Sequence, residues 1–353
     1  MINLAEEWRK LDGRRRKPDS REHWDERAKT FSFKDAPDAY LRSFISKAGI
    51  TGKESVLDMG CGTGSLAVAL ASLGCSVIAA DFSTGMLDRL RSNAAERGML
   101  WDGEASRHDS GALPGSGASL VSSDSLAGDG ACEGGTRGGT CNAGARNAGA
   151  RNAVACDGAM HDAATPLPEV GAGKILPLHM SWEDDWTSFG LGKNAVDVAV
   201  SSRSLITHDL EDSLIKLSTV ARERVCVTVG TGVSPRVDMR VARAMGLELE
   251  RHNDALYVFG IASDLGYEPT VSYIHSHRSK SYVSPDEAYS SLMETREFIA
   301  DAADQISVEE SASRLRAFLA DHLVETEEQG VRRWTLDKPR IVPWAFISWN
   351  VRV

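Results

Sequence analysis

Between residues 55 and 74 the sequence changes character three times, and this succession constrains the fold more than anything else in the chain. A short apolar run, Ser55-Val56-Leu57-Asp58, meets glycines at 60, 62 and 64, which lead into Leu66-Ala67-Val68-Ala69-Leu70-Ala71-Ser72-Leu73 and then Gly74. The first run reads as a strand buried on both faces, the last as a helix with Gly74 as its C-cap. Glycines at such a turn let the backbone approach a ligand closely, and the helix N-terminus beyond favours negative charge. A dinucleotide fingerprint would add a glycine at position 65 to admit a pyrophosphate, and this chain has Ser65.

The alternation continues along the chain. Ser76–Ala80 is a second strand and Thr84–Arg97 a helix stopped by Gly98; Lys174–Met180, Ala195–Ser201 and Arg224–Gly230 supply three more strands, with a helix from Asp209 to Ala221. Short apolar strands separated by helices predict an α/β fold, a doubly wound and mostly parallel sheet with right-handed crossovers and a ligand site at the carboxyl ends of the strands. Further on, helices are expected over Pro235–Met245 and Asp254–Leu265 and a strand over Thr270–His275. Helical stretches over Pro285–Ala302 and Val308–Glu327 follow, then a closing hairpin of Val331–Leu336 with Ile341–Val351 turned at Asp337-Lys338-Pro339.

One tract breaks the pattern. Residues 101–173 hold 15 of the 32 glycines and the tandem Asn142-Ala143-Gly144-Ala145-Arg146 and Asn147-Ala148-Gly149-Ala150-Arg151. With few large apolar residues the tract cannot offset its ordering entropy, so a low-complexity inserted loop is expected there. The organisation read from the sequence is thus an N-terminal helical cap over 1–48 and a main domain over 49–353. The second contains the inserted loop at 101–173 and a helical, lid-like insertion at 284–330.

Charge and cysteine usage exclude several functions. The net charge of −10 provides no global field to attract phosphate backbones, which disfavours a nucleic-acid substrate. No apolar run reaches the roughly 20 residues that span a bilayer, and Met1–Lys17 is too charged for a signal peptide; a cytoplasmic protein without membrane association is expected. The six cysteines form no CxxC pair, and the grouping of Cys132, Cys141 and Cys156 with His161 has irregular spacing, so no metal is expected.

Two acids sharpen the reading of the glycine loop. Asp58 stands two positions before the first glycine, where a carboxylate suits a ligand carrying an amino group and a sulfonium; Asp81, at the end of the second strand, can accept both hydroxyls of a ribose. Val56-Leu57-Asp58-Met59-Gly60-Cys61-Gly62-Thr63-Gly64 and Ala80-Asp81-Phe82-Ser83-Thr84-Gly85-Met86-Leu87 resemble the corresponding motifs of class I S-adenosylmethionine (SAM)-dependent methyltransferases. The resemblance implies a Rossmann-like, mostly parallel seven-stranded sheet with an antiparallel C-terminal strand. It also implies SAM as cofactor, S-adenosylhomocysteine (SAH) as its product, and a small-molecule methyl acceptor as partner. It places Asp58 near the methionine moiety, Gly60, Cys61, Gly62 and Gly64 in the cradle, Asp81 on the ribose, and Phe82, Ser83 and Met86 near adenine and ribose. His23-Trp24-Asp25-Glu26-Arg27-Ala28 with Phe31 resembles the N-terminal helix that folds over the cofactor, which brings in Trp24 and Arg27.

The chain departs from the family pattern after its third and fourth strands. Ser181 occupies the position of an adenine-contacting aspartate, leaving that contact to Ser181, Trp182 or Glu183; alternatively Trp182 is core and the acids face solvent. Ser201-Ser202-Arg203-Ser204 replaces the Asn/Asp-Pro-Pro-Tyr/Phe loop of enzymes that methylate amide or exocyclic amino nitrogens. Ser201 is then a cofactor contact, and Arg203 either holds an anionic substrate group or pairs within the sheet rim. No catalytic residue is identified outright. His208 with Asp209 and His275 are weak candidates for a base, and His208-Asp209 can equally start a helix with Asp209 as N-cap. Arg236, Arg240 and Arg243 read as one helical face. A tRNA or rRNA methyltransferase and a non-catalytic SAM-binding scaffold are the alternative functions, and the oligomeric state is not legible.

Overall fold

The computed structural model describes residues 3–15, 20–30, 38–101, 170–205, 207–249, 251–299, 302–328 and 330–352. The glycine-rich tract from 102 to 169, with Cys132, Cys141, Cys156 and His161, lies outside the described residues, as does Phe31. In chain order the elements are α1 (Leu4–Arg15), α2 (Arg21–Ala28), α3 (Ala39–Ala48), β1 (Ser55–Met59), α4 (Ser65–Leu73), β2 (Ser76–Asp81), α5 (Thr84–Ala95), β3 (Ile175–His179), β4 (Val196–Ser202), α6 (Leu210–Val220) and β5 (Ala221–Gly230). Then come α7 (Met239–Ala244), α8 (Asp254–Asp264), β6 (Thr270–Arg278), α9 (Pro285–Met293), α10 (Ala302–Gln305), α11 (Val308–His322), β7 (Leu323–Glu328), β8 (Val331–Leu336) and β9 (Arg340–Asn350).

Seven strands form one sheet in the order β3-β2-β1-β4-β5-β9-β6. β3, β2, β1, β4 and β5 are parallel, and β9 runs antiparallel between β5 and β6. The doubly wound, mostly parallel sheet expected from the sequence is therefore present. Alternation within each strand divides the core. Leu57, Ile78 and Ala199 pack with Leu214 and Leu217 of α6 and Val258 and Ile261 of α8 on one face. Val56, Val77 and Val198 pack with Phe44 of α3, Leu70 of α4 and Leu90 of α5 on the other. The order reverses at β1 and β4, so the crevice beyond their carboxyl ends is where such a sheet receives a ligand.

The C-terminal third differs from the expected hairpin. β8 pairs with β7, not with β9, and β9 joins the main sheet. The reason lies in the environment of each strand. Ile341–Trp349 is almost continuously apolar because β9 is covered on both faces and flanked by two strands. Leu323–Glu328 is mostly polar and exposed, so its alternation was hidden in what reads as the tail of a helix; α11 in fact stops at His322. Asp337 turns the chain between the two sheets, its N–H donating to His322 O at 2.8 Å. The insertion is thus helices plus a ribbon, and it builds its own small core: Val241 of α7 and its C-cap Met245 with Leu292 of α9 and Leu315 and Leu319 of α11.

Two smaller expectations also change. α7 begins after Asp238, its N-cap, so Arg236 lies outside the helix and the three arginines do not share a face; Arg240 is paired with Asp238 at 2.8 Å. Pro285–Ala302 is not one helix, since α9 ends at Met293 and a 3₁₀ turn spans Glu294–Phe298. The N-terminal 48 residues do not form one cap. α1 packs on α8 and α6, α2 on α5, and α3 on β6 and β9. No described helix is long and apolar enough to cross a membrane.

Trp8 is the bolt that fixes α1. It is 2% exposed, its indole N–H donates to Thr207 O at 2.9 Å, and its ring meets Tyr257 edge-on at 5.6 Å. Trp8→Ala is expected to cost about 3–5 kcal/mol, and Trp8→Phe about 1 kcal/mol for the lost hydrogen bond. Thermal melts of the two variants against the parent protein check this ranking.

Candidate functional site

The loop after β1 is folded back onto the end of β2. Gly60 and Cys61 both donate their N–H to Ala80 O, at 2.8 and 3.0 Å, and Gly64 N–H closes the turn onto Cys61 O at 3.0 Å. All three glycines have positive φ, 74°, 56° and 87°. Their surroundings differ. A Cβ on Gly60 would stand 2.3 Å from Ser204 Cβ, whereas a Cβ on Gly62 would meet nothing within 4 Å. Gly60 is required by the packing of the loop on the chain beyond β4; Gly62 leaves open space in front of the loop.

Behind the loop lie two buried carboxylates. Among the described residues neither oxygen of Asp58, 1% exposed, has a hydrogen-bond partner of good geometry, and the Ala67 N–H is turned toward it. Burial first, and the charge of Asp81 second, push its pKa up to about 7. Asp81 is also buried, and burial raises its pKa against the pull of its hydrogen bonds. Its Oδ2 accepts from Gly62 N–H at 2.8 Å and its Oδ1 from Ser83 N–H at 2.9 Å. Asp81 thereby ties the glycine loop to the β2–α5 corner and keeps lone pairs for a ligand. Cys61, beside both acids, has its thiol pKa raised by burial and by their charge.

The β2–α5 corner is where α2 attaches. Ser83 caps α5, accepting from Met86 N–H at 3.1 Å, and donates its own hydroxyl to Asp25 at 2.6 Å. The same Asp25 oxygen accepts from Gly85 N–H at 2.9 Å. These bonds, Ser83 first, hold the Asp25 pKa below the ordinary aspartate value. Trp24 on α2 is half-buried, and the exposed Arg27 lies with its guanidinium carbon 5.6 Å from the Trp24 ring. Met86 is buried and Phe82 half-buried; the Phe82 carbonyl accepts from His179 Nε2 at 3.0 Å.

After β3, Ser181 N–H donates to Asp184 at 2.8 Å and its hydroxyl to the exposed Glu183. Trp182 is buried in the core with its ring 5.7 Å from Trp186. After β4, the buried Ser201 shares a hydrogen bond with Ser204 at 2.9 Å, and Ser204 Oγ donates to Met59 O at 2.9 Å, which fixes the chain beyond β4 against the end of β1. Arg203 has φ 64°, a conformation that costs a non-glycine residue roughly 1–2 kcal/mol. Its guanidinium carbon lies 4.2 Å from the Tyr40 ring and 5.7 Å from the Trp344 ring. Tyr40, on α3, bonds Ser202 at 2.9 Å and Thr228 at 2.6 Å through its hydroxyl, whose pKa is raised by burial.

His208 and Asp209 do not form a dyad with a free carboxylate. Asp209 is the N-cap of α6, accepting from Asp212 N–H, and it is paired with Arg9 of α1 at 3.0 Å. The helix-start reading of this pair is the observed one. His275 is exposed on the edge strand β6. Sequence reasoning missed Asp25, although it sits inside the α2 run, and Tyr40, for which no local pattern exists. Among the described residues no three His, Cys, Asp or Glu side chains group to hold a metal.

Residues 56–123 match the family model described as a methyltransferase domain. A protein of Haemophilus influenzae (strain ATCC 51907 / DSM 11121 / KW20 / Rd), described as uncharacterized, is 24% identical over 319 residues, 89% of this chain and 83% of its own. Among solved structures, the YcgJ protein from Bacillus subtilis aligns with TM-score 0.43 and 12% identity, over 88% of this chain and 97% of that one. The magnesium protoporphyrin IX methyltransferase of Synechocystis PCC 6803 with bound SAH aligns with TM-score 0.34 and 13% identity, over 79% and 83%.

Two stability tests follow from the loop geometry. Gly60→Ala should lower the thermal midpoint sharply, with part of the loss restored by adding Ser204→Gly, while Gly62→Ala should cost only about 1 kcal/mol for its positive φ. Asp58→Asn tests the unpaired carboxylate. A carboxyl whose folded pKa, about 7, exceeds its unfolded value of 3.8 makes the ligand-free protein lose stability as pH rises between those values. Asp58→Asn should therefore melt higher than the parent at pH 8, with an advantage that shrinks as the pH is lowered toward 5.

Proposed function

We propose that this chain, a Rossmann-like class I SAM-dependent methyltransferase in its sheet order, its glycine loop and its family match, transfers a methyl group to a small-molecule acceptor. The observation that carries the reading is the Asp58 carboxylate, buried without a hydrogen-bond partner of good geometry behind a loop whose Gly62 leaves open space. Such a group calls for a cationic ligand, because an isolated buried charge is otherwise costly. The residues fit the cofactor. Asp58 would meet its ammonium group, Asp81 would accept from its ribose hydroxyls, and Gly60 to Gly64 would form the cradle. Phe82, Met86, Ser181 and Glu183 would border the adenine, with Trp24 and Arg27 on α2 as part of the cover. Trp182, embedded in the core, would support that border from behind.

When bound, SAM supplies an electrophilic methyl group on a sulfonium. The protein's own task is alignment and exclusion of water, worth a large share of such a barrier. Ser201, Ser204 and Tyr40 hold the ends of β4 and β5 rigid beside the loop, so an acceptor seated there has a fixed approach. The small size of the acceptor is supported by the net charge of −10, which offers a polyanion no general attraction, and by the helical insertion near residues 284–330 as a wall or lid.

The test is calorimetric titration of SAM and SAH into the full chain. Saturable binding is expected in the parent protein, at least about tenfold weaker in Asp81→Ala, and weakened in Asp58→Asn and Gly62→Ala although both remain folded. No saturable binding, or binding indifferent to all three substitutions, would overturn the reading.

A further inference from the structure

The carboxyl ends of β4 and β6 bring two arginines together with no carboxylate in ion-pair contact with either among the described residues. Arg203 follows β4 and Arg278 ends β6; both are exposed, and among the described residues neither guanidinium makes a hydrogen bond or an ion pair, the Arg203 backbone N–H alone donating to Thr228. Arg9, Arg91, Arg222, Arg224, Arg240, Arg314 and Arg332 each find a carboxylate. Arg203 and Arg278 are close enough that Arg203 helps to depress the Arg278 pKa, after burial; the nearby Asp38, which acts the other way, is occupied as the N-cap of α3.

The buried polar atoms around them are also incomplete. Trp344, 7% exposed and opposite Ile274 on the β9–β6 ladder, has an indole N–H with no acceptor. Ser276 Oγ and Arg340 Nε, at the next two positions of that ladder on the same face, are likewise without partners. Arg340 spends its other nitrogens on Ser234 O at 2.6 Å and Arg236 O at 3.3 Å, which braces the loop after β5. Buried donors left open are rare unless something external completes them. Here the open donors are a cation, an indole N–H and a hydroxyl, and the one carboxylate acting on Arg278, that of the exposed Asp38, gives an oxygen to the α3 N-terminus.

The group is also well placed. Arg203 adjoins Ser204, which touches Gly60 and bonds Met59 O, so it stands on the side of the glycine loop away from Asp81. Its guanidinium is spread over two aromatic faces, an arrangement that keeps its edge free for a planar or tetrahedral oxyanion.

We infer that Arg203 and Arg278, with the Trp344 indole N–H, form an anion subsite that recognises a carboxylate or phosphate group on the methyl acceptor. The inference rests on the methyltransferase reading for the word acceptor, but the binding of an oxyanion does not. Inorganic phosphate and, separately, succinate are titrated at constant ionic strength into the full chain, reading the Trp344 indole N–H resonance, which is assigned by its loss in Trp344→Phe. A saturable shift is expected with one of the two probes and not with chloride; the probe that saturates tells phosphate from carboxylate. Arg203→Gln and Arg278→Gln should each weaken that binding at least about tenfold, and Arg203→Lys, which keeps the charge but not the fork, should fall between. SAH affinity, measured on the same samples, should stay within about twofold and serves as the check on folding. A response to both probes no different from chloride, or affinity unchanged in both Gln variants, overturns the subsite. Loss of SAH binding by the parent protein with the anion response intact would instead overturn the cofactor reading alone.

Discussion

Two carboxylates buried at the ends of β1 and β2 set the terms for the rest of this molecule. Asp58 and Asp81 sit where burial works against ionisation, and only Asp81 is repaid by hydrogen bonds within the chain. The surrounding structure is built to keep them there: the Ala80 carbonyl gathers the loop, Ser204 presses on Gly60, and Tyr40 locks β4 to β5. Across the same loop the sign reverses. Arg203 and Arg278 lie on the β4 and β6 side, so the crevice has acids at one end and cations at the other. A net charge of −10 conceals this division, since what matters is how little of the local charge is cancelled.

How much of this was legible in the sequence depended on how local the cause was. The strand–glycine–helix unit and Asp81 are fixed by spacing within about two dozen residues, and the sheet that follows from them is the observed one. β7 was illegible because a two-stranded ribbon with both faces wet carries no apolar alternation, and β9 was misassigned because the strand beside it in sequence is not beside it in space. At the site, glycines and acids announce themselves by type. Asp25 and Tyr40 do not, because each acts on a partner from a distant part of the chain, such as Ser83 58 positions from Asp25 and Thr228 188 positions from Tyr40.

The helices before β1 show the same dependence on long-range partners. They are consecutive in sequence and dock in three places, held by Trp8 on Thr207, Asp25 on the α5 corner, and Tyr40 under Arg203. Of these, α2 rests on the fewest buried groups: Ala28 is its one buried residue, and its attachment is two hydrogen bonds to one carboxylate oxygen. Of the three helices before β1 it is therefore the one with the least buried surface opposing its displacement.

The position of β9 has a consequence for how the chain is made. β6 reaches the sheet only through β9, which is synthesised some sixty residues later, and β5 has no neighbour on that side until β9 arrives. On a ribosome releasing the chain N-terminus first, the parallel half of the sheet emerges early with the bare edge of β5 exposed, a surface that invites pairing with other strands. Arg278, Trp344 and Arg340 come together only at that last step. A nascent chain can therefore own a finished glycine loop while the β6 end of the crevice does not yet exist.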